Sequence, residues 1–221
     1  MKQYIYPFIC SALLVSGCQK NQDADVLSQK QSLKPSVAVI PLIDNSDHTL
    51  SWNLSDEITY TLCTKLYEKN TLNLTLPGKI KAQSKRVKGQ MNPFSEDLQW
   101  VKKAFSEEEF VVFLEMIEHS EIPAETPSDK KVSKESLSAN LHMSVRVRIV
   151  DLRHETPKIT LQEIIQDSHF IPRQFTQYNF HQSPWNTEEF LLSPVGIAHA
   201  QLIKELKTRI EDYILLAKTE K

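Results

Sequence analysis

Apolar residues recur along the chain in three rhythms, and each predicts an element. Val37, Ala38, Val39, Ile40, Pro41, Leu42 and Ile43 form a near-continuous apolar run, the pattern of a strand buried on both faces, closed by the turn formers Asp44-Asn45-Ser46-Asp47. From Asn53 to Lys69, Leu54, Ile58, Leu62 and Leu66 recur every four positions behind a cap at Asn53 or Ser55, which predicts a helix. Leu72, Leu74 and Leu76 then alternate with Asn73 and Thr75 up to Pro77-Gly78, a second strand that completes a βαβ unit. Ser95 to Phe105 reads as a short helix and Phe110 to Ile117 as a third strand. Leu141, Met143, Val145, Val147 and Ile149 alternate with His142, Ser144, Arg146 and Arg148, a long strand with one face on the core and one wet. After the turn at 151–157, Ile159, Leu161 and Ile165 continue as its antiparallel partner. Ser193 caps a final helix with Pro194 in its first turn and a stripe of Ile197, Ala200, Ile203, Leu206, Ile210 and Ile214. The order β-α-β-α-β-β-β-α predicts an α+β fold, a mixed β-sheet with helices mainly on one face, spanning 35–221 as a single domain.

Two stretches lack a rhythm. Residues 123–138, rich in Pro, Ser and charge, have little to bury and are expected to form a mobile hairpin loop. Residues 168–192 are dense in aromatics without a sustained period and read as an ordered loop; Phe175, Tyr178, Phe180 and Trp185 there serve either as core and lid or as interface anchors. Lys79, Lys81, Lys85, Arg86 and Lys88 put five positive charges in ten residues, either a solvated loop or a patch for anionic headgroups or an acidic partner.

The start of the chain has a different character. A single charge at Lys2, an apolar run from Tyr4 to Val15 and then small residues have the form of a secretion signal, because the run is shorter than the roughly 20 residues that cross a bilayer. Its end, Leu14-Val15-Ser16-Gly17-Cys18, resembles the lipobox of bacterial lipoproteins. The resemblance implies a signal peptide at 1–17, cleavage between Gly17 and Cys18, and acyl chains on Cys18 as the link to the membrane. Gln19 after the cysteine resembles the sorting signal to a Gram-negative outer membrane, so the expected place is the cell envelope, facing the periplasm. Residues 18–34, polar with few large apolar groups, would be a flexible lipidated tether.

Composition narrows the chemistry. Twenty-six basic and 28 acidic residues give a net charge of -2, with no excess that would draw the molecule to nucleic acid. Removing residues 1–17 takes away Lys2 alone among the charged residues, leaving 204 residues with a net charge of -3. Four glycines, Gly17, Gly78, Gly89 and Gly196, cannot write a phosphate loop, a dinucleotide fingerprint or a nucleophile elbow. Cys10, Cys18 and Cys63 form no metal spacing, and Cys63 in its helical pattern reads as a small buried hydrophobe. None of the seven histidines stands in an HxH or HExxH spacing; His142 falls on the wet strand face and His199 early in the last helix, positions of surface or structural roles. Asp151 and His154 share a turn without a serine nucleophile signature. No cofactor, no metal and no catalysis are expected.

The opening Val37-Ala38-Val39-Ile40-Pro41-Leu42-Ile43-Asp44-Asn45-Ser46, with the helix carrying Leu54, Ser55, Asp56 and Ile58, resembles the domain shared by the amino-terminal part of TolB, the curli secretion-channel lipoprotein and the lipoprotein activators of penicillin-binding proteins. Val147-Arg148-Ile149-Val150-Asp151 is similar to their later strand, which also ends in an aspartate before a turn. The resemblance implies a non-catalytic envelope adaptor or assembly subunit that binds another envelope protein or itself. The alternative is a carrier for a lipid or other small ligand, which requires a cavity.

Overall fold

A computed structural model describes residues 34–48, 50–86, 92–124, 138–176, 179 and 181–219. The segments predicted as signal peptide (1–17) and tether (up to Leu33), and most of the predicted 123–138 loop, lie outside the described residues.

The apolar run at the start yields two short strands, β1 (Ser36–Val39) and β2 (Ile43–Asp44), where the sequence predicts one. Pro41 has no N–H to give a ladder, and the chain steps out of the sheet there. Helix α1 (Leu54–Lys69) bridges the break: the Leu42 N–H donates to Thr59 Oγ1 at 2.9 Å, and Ser55 Oγ donates to the Leu42 carbonyl at 2.6 Å. The Asn53 side chain caps α1 by accepting from the Asp56 N–H, and Asn70 ends it at φ 55°, a left-handed conformation that asparagine tolerates.

Strand β3 (Asn73–Leu74) pairs parallel with β1, which is interior and also pairs parallel with β4 (Phe110–Pro123). Strands β5 (Ala139–Asp151) and β6 (Lys158–Ile171) extend the sheet antiparallel, in the order β3-β1-β4-β5-β6, with β2 also on β4. The three long strands outrun their predicted lengths. Residues 168–171, read as the start of the aromatic loop, belong to β6, because Ile171 and His169 keep the alternation that pairs them with Ala139 and Leu141.

Residues 79–86 are not a loop either. They form helix α2 (Pro77–Arg86), whose one large apolar anchor, Ile80, gives almost no periodic signal. Polar partners hold it instead: Gln83 donates to Glu108 Oε2 at 3.2 Å, and Lys79 lies 2.8 Å from Glu107 and 2.9 Å from Glu108. With the six-residue α3 (Gln99–Ala104), α2 covers one end of one sheet face, where Ile80, Trp100, Val101 and Phe105 pack on Ala38, Val111, Phe113 and Val150.

The main core lies on the other face, under α1 and the 26-residue α5 (Pro194–Thr219). Ser193 Oγ accepts from the Gly196 N–H at 3.0 Å at the start of α5, and Gly196 is required there: a Cβ would sit 1.9 Å from the Phe190 carbonyl oxygen. The short helix α4 (Glu188–Leu191), capped by Thr187, drops Phe190 into this core.

Candidate functional site

Helices α1 and α5 lie side by side and are clamped by polar groups at two levels. At the first, Glu57 Oε1 lies 2.6 Å from His199 Nδ1, and Glu57 Oε2 accepts from the Trp52 indole at 2.7 Å. His199 Nε2 in turn lies 2.8 Å from His119 Nε2 on β4. At the second, Glu211 accepts from Lys69 at 2.8 Å and from the Thr71 hydroxyl. Glu57 and Lys69 are twelve residues apart on α1, and His199 and Glu211 are twelve apart on α5, so the two helices run in the same direction in register. Leu62 and Leu66 of α1 and Leu202, Ile203 and Leu206 of α5 fill the space between the clamps.

The upper clamp is sealed: His199 is 1% exposed, and Phe190 stacks edge-on against it at 5.6 Å. Both nitrogens of His199 are committed, with Nδ1–H donating to the Glu57 carboxylate and Nε2 accepting from His119 in the tautomer that satisfies both contacts. The arrangement orients helices and offers no nitrogen to a substrate. His48 approaches His119 edge-on at 5.7 Å and lies 2.9 Å from Asp44; burial pushes that carboxyl up, but the hydrogen bonds from Ser46 and His48 outweigh it and hold it below its ordinary value.

Burial, then the neighbouring His199 and His48, lower the His119 pKa to about 3. An unfolded histidine titrates near pH 6.5, so between that pH and about 3 the unfolded chain binds a proton that folded His119 refuses. Stability contributed by this residue is therefore present above pH 6.5 and lost as pH falls, at up to about 1.4 kcal/mol per pH unit. His119→Gln, which keeps a donor toward His199, should flatten the slope of urea-unfolding free energy against pH by about one proton between pH 6 and 4; an unchanged slope would assign acid sensitivity to another group.

The second feature is the uncovered part of the other sheet face. Opposed residues in an antiparallel ladder share a face, so β4, β5 and β6 present rows across the sheet. Glu118, Ser144 and Gln166 form one row, Ser120, His142 and Ser168 the next, and Ile122, Asn140 and Phe170 the last. A bulge at Ile117 keeps the rows aligned beyond it. Glu118, Ser144, Gln166, His142 and Ser168 of the first two rows, with Met143 and Asp167, line a shallow trough of about 320 Å³. Apolar side chains stand at its ends: Phe170 is 60% exposed and Ile122 47%, with Ile164, 52% exposed, beyond Gln166. Strand β6 pairs with β5 along one side, and among the described residues no strand pairs with the other.

The predicted wet face of β5 is wet only in part: His142 and Arg146 keep some exposure, whereas Ser144 and Arg148 are buried. Arg148 is buried, donating to the carbonyls of Pro93, Phe94 and Ser95 and to Gln162. Together with Arg146, whose guanidinium lies 5.0 Å from the Phe94 ring, it pins the segment that leads into α3. Asp151 is buried as well and holds Arg153 at 2.6 Å, and Arg153 reaches the Ala217 carbonyl at the end of α5. That turn ties sheet to helix.

The other sequence candidates scatter. Gly17, Cys18, Lys88, Tyr178 and Phe180 lie outside the described residues. Lys79 is engaged by Glu107 and Glu108, Lys81 is exposed, and Lys85 and Arg86 fall in the last turn of α2. Phe175 ends a single 3-10 turn after β6, whereas Trp185 leans on Tyr60 at 5.7 Å and on the main core. Cys63 is half-buried on α1, and burial pushes its thiol up to about 11. Sequence reading missed Glu57, His119 and Trp52. The available signal was a charged residue inside an apolar stripe, Glu57 between Leu54 and Ile58, matched by His199 between Ala198 and Leu202.

No curated protein matches the chain. Among solved structures, the hypothetical protein CT253 from Chlamydia trachomatis is similar at 24% identity and TM-score 0.62, over 82% of this chain and 98% of that one, and shares the fold. The lipoprotein GNA1162 from Neisseria meningitidis matches at 11% identity and TM-score 0.41 over 80% of this chain and 99% of its own. A minor lipoprotein from Acinetobacter baumannii matches at 11% and 0.39 over 80% and 91%. Residues 24–218 match a family described as of unknown function, and the chain belongs to that family, DUF7499.

Proposed function

We propose that the protein is a lipid-anchored, non-catalytic docking subunit of the cell envelope, held to the outer membrane through Cys18 and binding a protein partner in the periplasm. The observation that supports this reading is the uncovered end of the sheet. Strand β6, fourteen residues long and paired among the described residues with β5 alone, lies beside a polar trough, with Ile122, Ile164 and Phe170 exposed on the same sheet face. An edge of that length is a template for an incoming strand, and apolar side chains at its ends supply the anchors that carry most interface energy. The lipobox-like Leu14–Cys18 segment supports the anchor, and Gln19 the outer-membrane destination.

The test is site-specific photo-cross-linking in the native envelope. A photoreactive residue at Phe170 or Ile164 should give recurring protein adducts, either with another envelope protein or with a second copy. The same probe at Leu216, exposed on α5, should not. Equal yields from all three positions, or adducts with lipid alone at 164 and 170, would overturn the docking reading.

A further inference from the structure

Between the two clamps, on the outer side of the α1–α5 seam, lies a groove of about 590 Å³, within the size range of small-molecule sites. Its chemistry changes along its length. Leu191 of α4 and Ala200 of α5 are exposed at one end, and Ile203 forms the floor. Four lysines stand on its walls, Lys65 and Lys69 on α1 and Lys204 and Lys207 on α5.

Glu68 is the one carboxylate among the described lining residues, and Glu211 and Asp212 act on Lys69 from beside the groove. Glu68 lies 3.1 Å from Lys65, and buried Glu211 lies 2.8 Å from Lys69 and 3.5 Å from Lys207. Four lysines against Glu68, Glu211 and Asp212 leave the groove one positive charge in surplus, in a chain whose net charge is -2. Lysine stems pack along apolar surface while their ammonium groups stay at the rim. From Ala200 to Lys207 the groove runs about 10 Å along α5, apolar at the Ala200 and Ile203 end and lined by lysines beyond it.

We propose that this groove binds an anionic single-chain amphiphile as a monomer, with its alkyl chain over Leu191, Ala200 and Ile203 and its acidic head among the lysines. The inference does not rest on the docking reading, because α1 and α5 cover the sheet face opposite the trough.

The experiment uses the mature chain from residue 18 carrying Cys18→Ser, so that no covalent acyl chain competes for the groove. Calorimetric titration with dodecyl phosphate below its micelle concentration should show one site per chain, and dodecyltrimethylammonium should show none. Lys65→Glu with Lys204→Glu should weaken dodecyl phosphate binding at least tenfold. Ala200→Trp, which fills the apolar end and leaves every lysine in place, should abolish it. Near-UV circular dichroism confirms that each variant is folded.

Equal binding of the phosphate and ammonium amphiphiles would overturn the proposal, as would a folded wild-type protein that binds neither. Co-sedimentation with phosphatidylglycerol vesicles supplies the remaining arm. Lysine-dependent vesicle binding without monomer binding would assign the lysines to a membrane surface, and the groove would not be a ligand site.

Discussion

Replacing Glu57 by leucine is expected to lower the melting temperature by on the order of 10 °C, because it removes one carboxylate that serves buried His199 and half-buried Trp52. Leucine has nearly the right volume, so packing changes little. What is lost is the acceptor for His199 and for the Trp52 indole. Breaking a buried, charge-assisted contact from one side costs about 3 kcal/mol, since the remaining partner stays desolvated. Pairing the change with His199→Phe should recover part of the loss, because two apolar groups of similar shape need no mutual contact. Glu68→Leu, exposed on the same helix, should change stability by no more than about 0.5 kcal/mol. Thermal and urea unfolding of the four proteins decide the matter. If Glu57→Leu were no more damaging than Glu68→Leu, the upper clamp would carry no net stabilisation.

The comparison of sequence with structure separates local signals from remote ones. Helix α1, strand β5 and helix α5 were legible because one period runs through each: Leu54, Ile58, Leu62 and Leu66 on α1, and the alternation from Leu141 to Ile149 on β5. Helix α2 was not, because its folding information lies outside it, in Glu107 and Glu108 more than twenty residues away, which turn a basic run into a held helix. Pro41 is visible in the sequence, but the apolar residues on both sides outweigh it in any window, and only Thr59 and Ser55 on α1 show how the break is satisfied.

The clamps and the trough were less legible still. Glu57 and His199 are 142 positions apart, and nothing local to either names the other. The trough depends on which half of a sheet face lacks a helix, and that is decided by where Arg148 gathers the carbonyls of 93–95. Alternation along β5 fixes which side chains share a face and is silent on what covers them. The groove is built from Lys65 and Lys69 on one helix and Lys204 and Lys207 on another, so its charge surplus arises only once α1 and α5 are clamped in register.

Cys18→Ser is expected to move the whole population from the membrane to the soluble fraction and to abolish incorporation of labelled fatty acid. The apolar run from Tyr4 to Val15 would span only about 18 Å as a helix against a hydrocarbon core of about 30 Å, so it is a poor anchor even if retained. Among the described residues no helix is long and apolar enough to cross a membrane. The proposed attachment is through acyl chains on Cys18. Each buried methylene contributes about 0.8 kcal/mol, so one chain holds marginally and two or three hold for practical purposes indefinitely. A serine hydroxyl cannot take the place of the thiol that, in the proposed reading, receives the diacylglycerol, so the loss should be complete rather than graded. Any weak association that the lysine groove provides would appear as salt-sensitive binding left in the Cys18→Ser protein and lost in Lys65→Glu with Lys204→Glu. Labelling that persists in Cys18→Ser, or sedimentation that resists high salt and carbonate, would show that the protein is held by something other than Cys18.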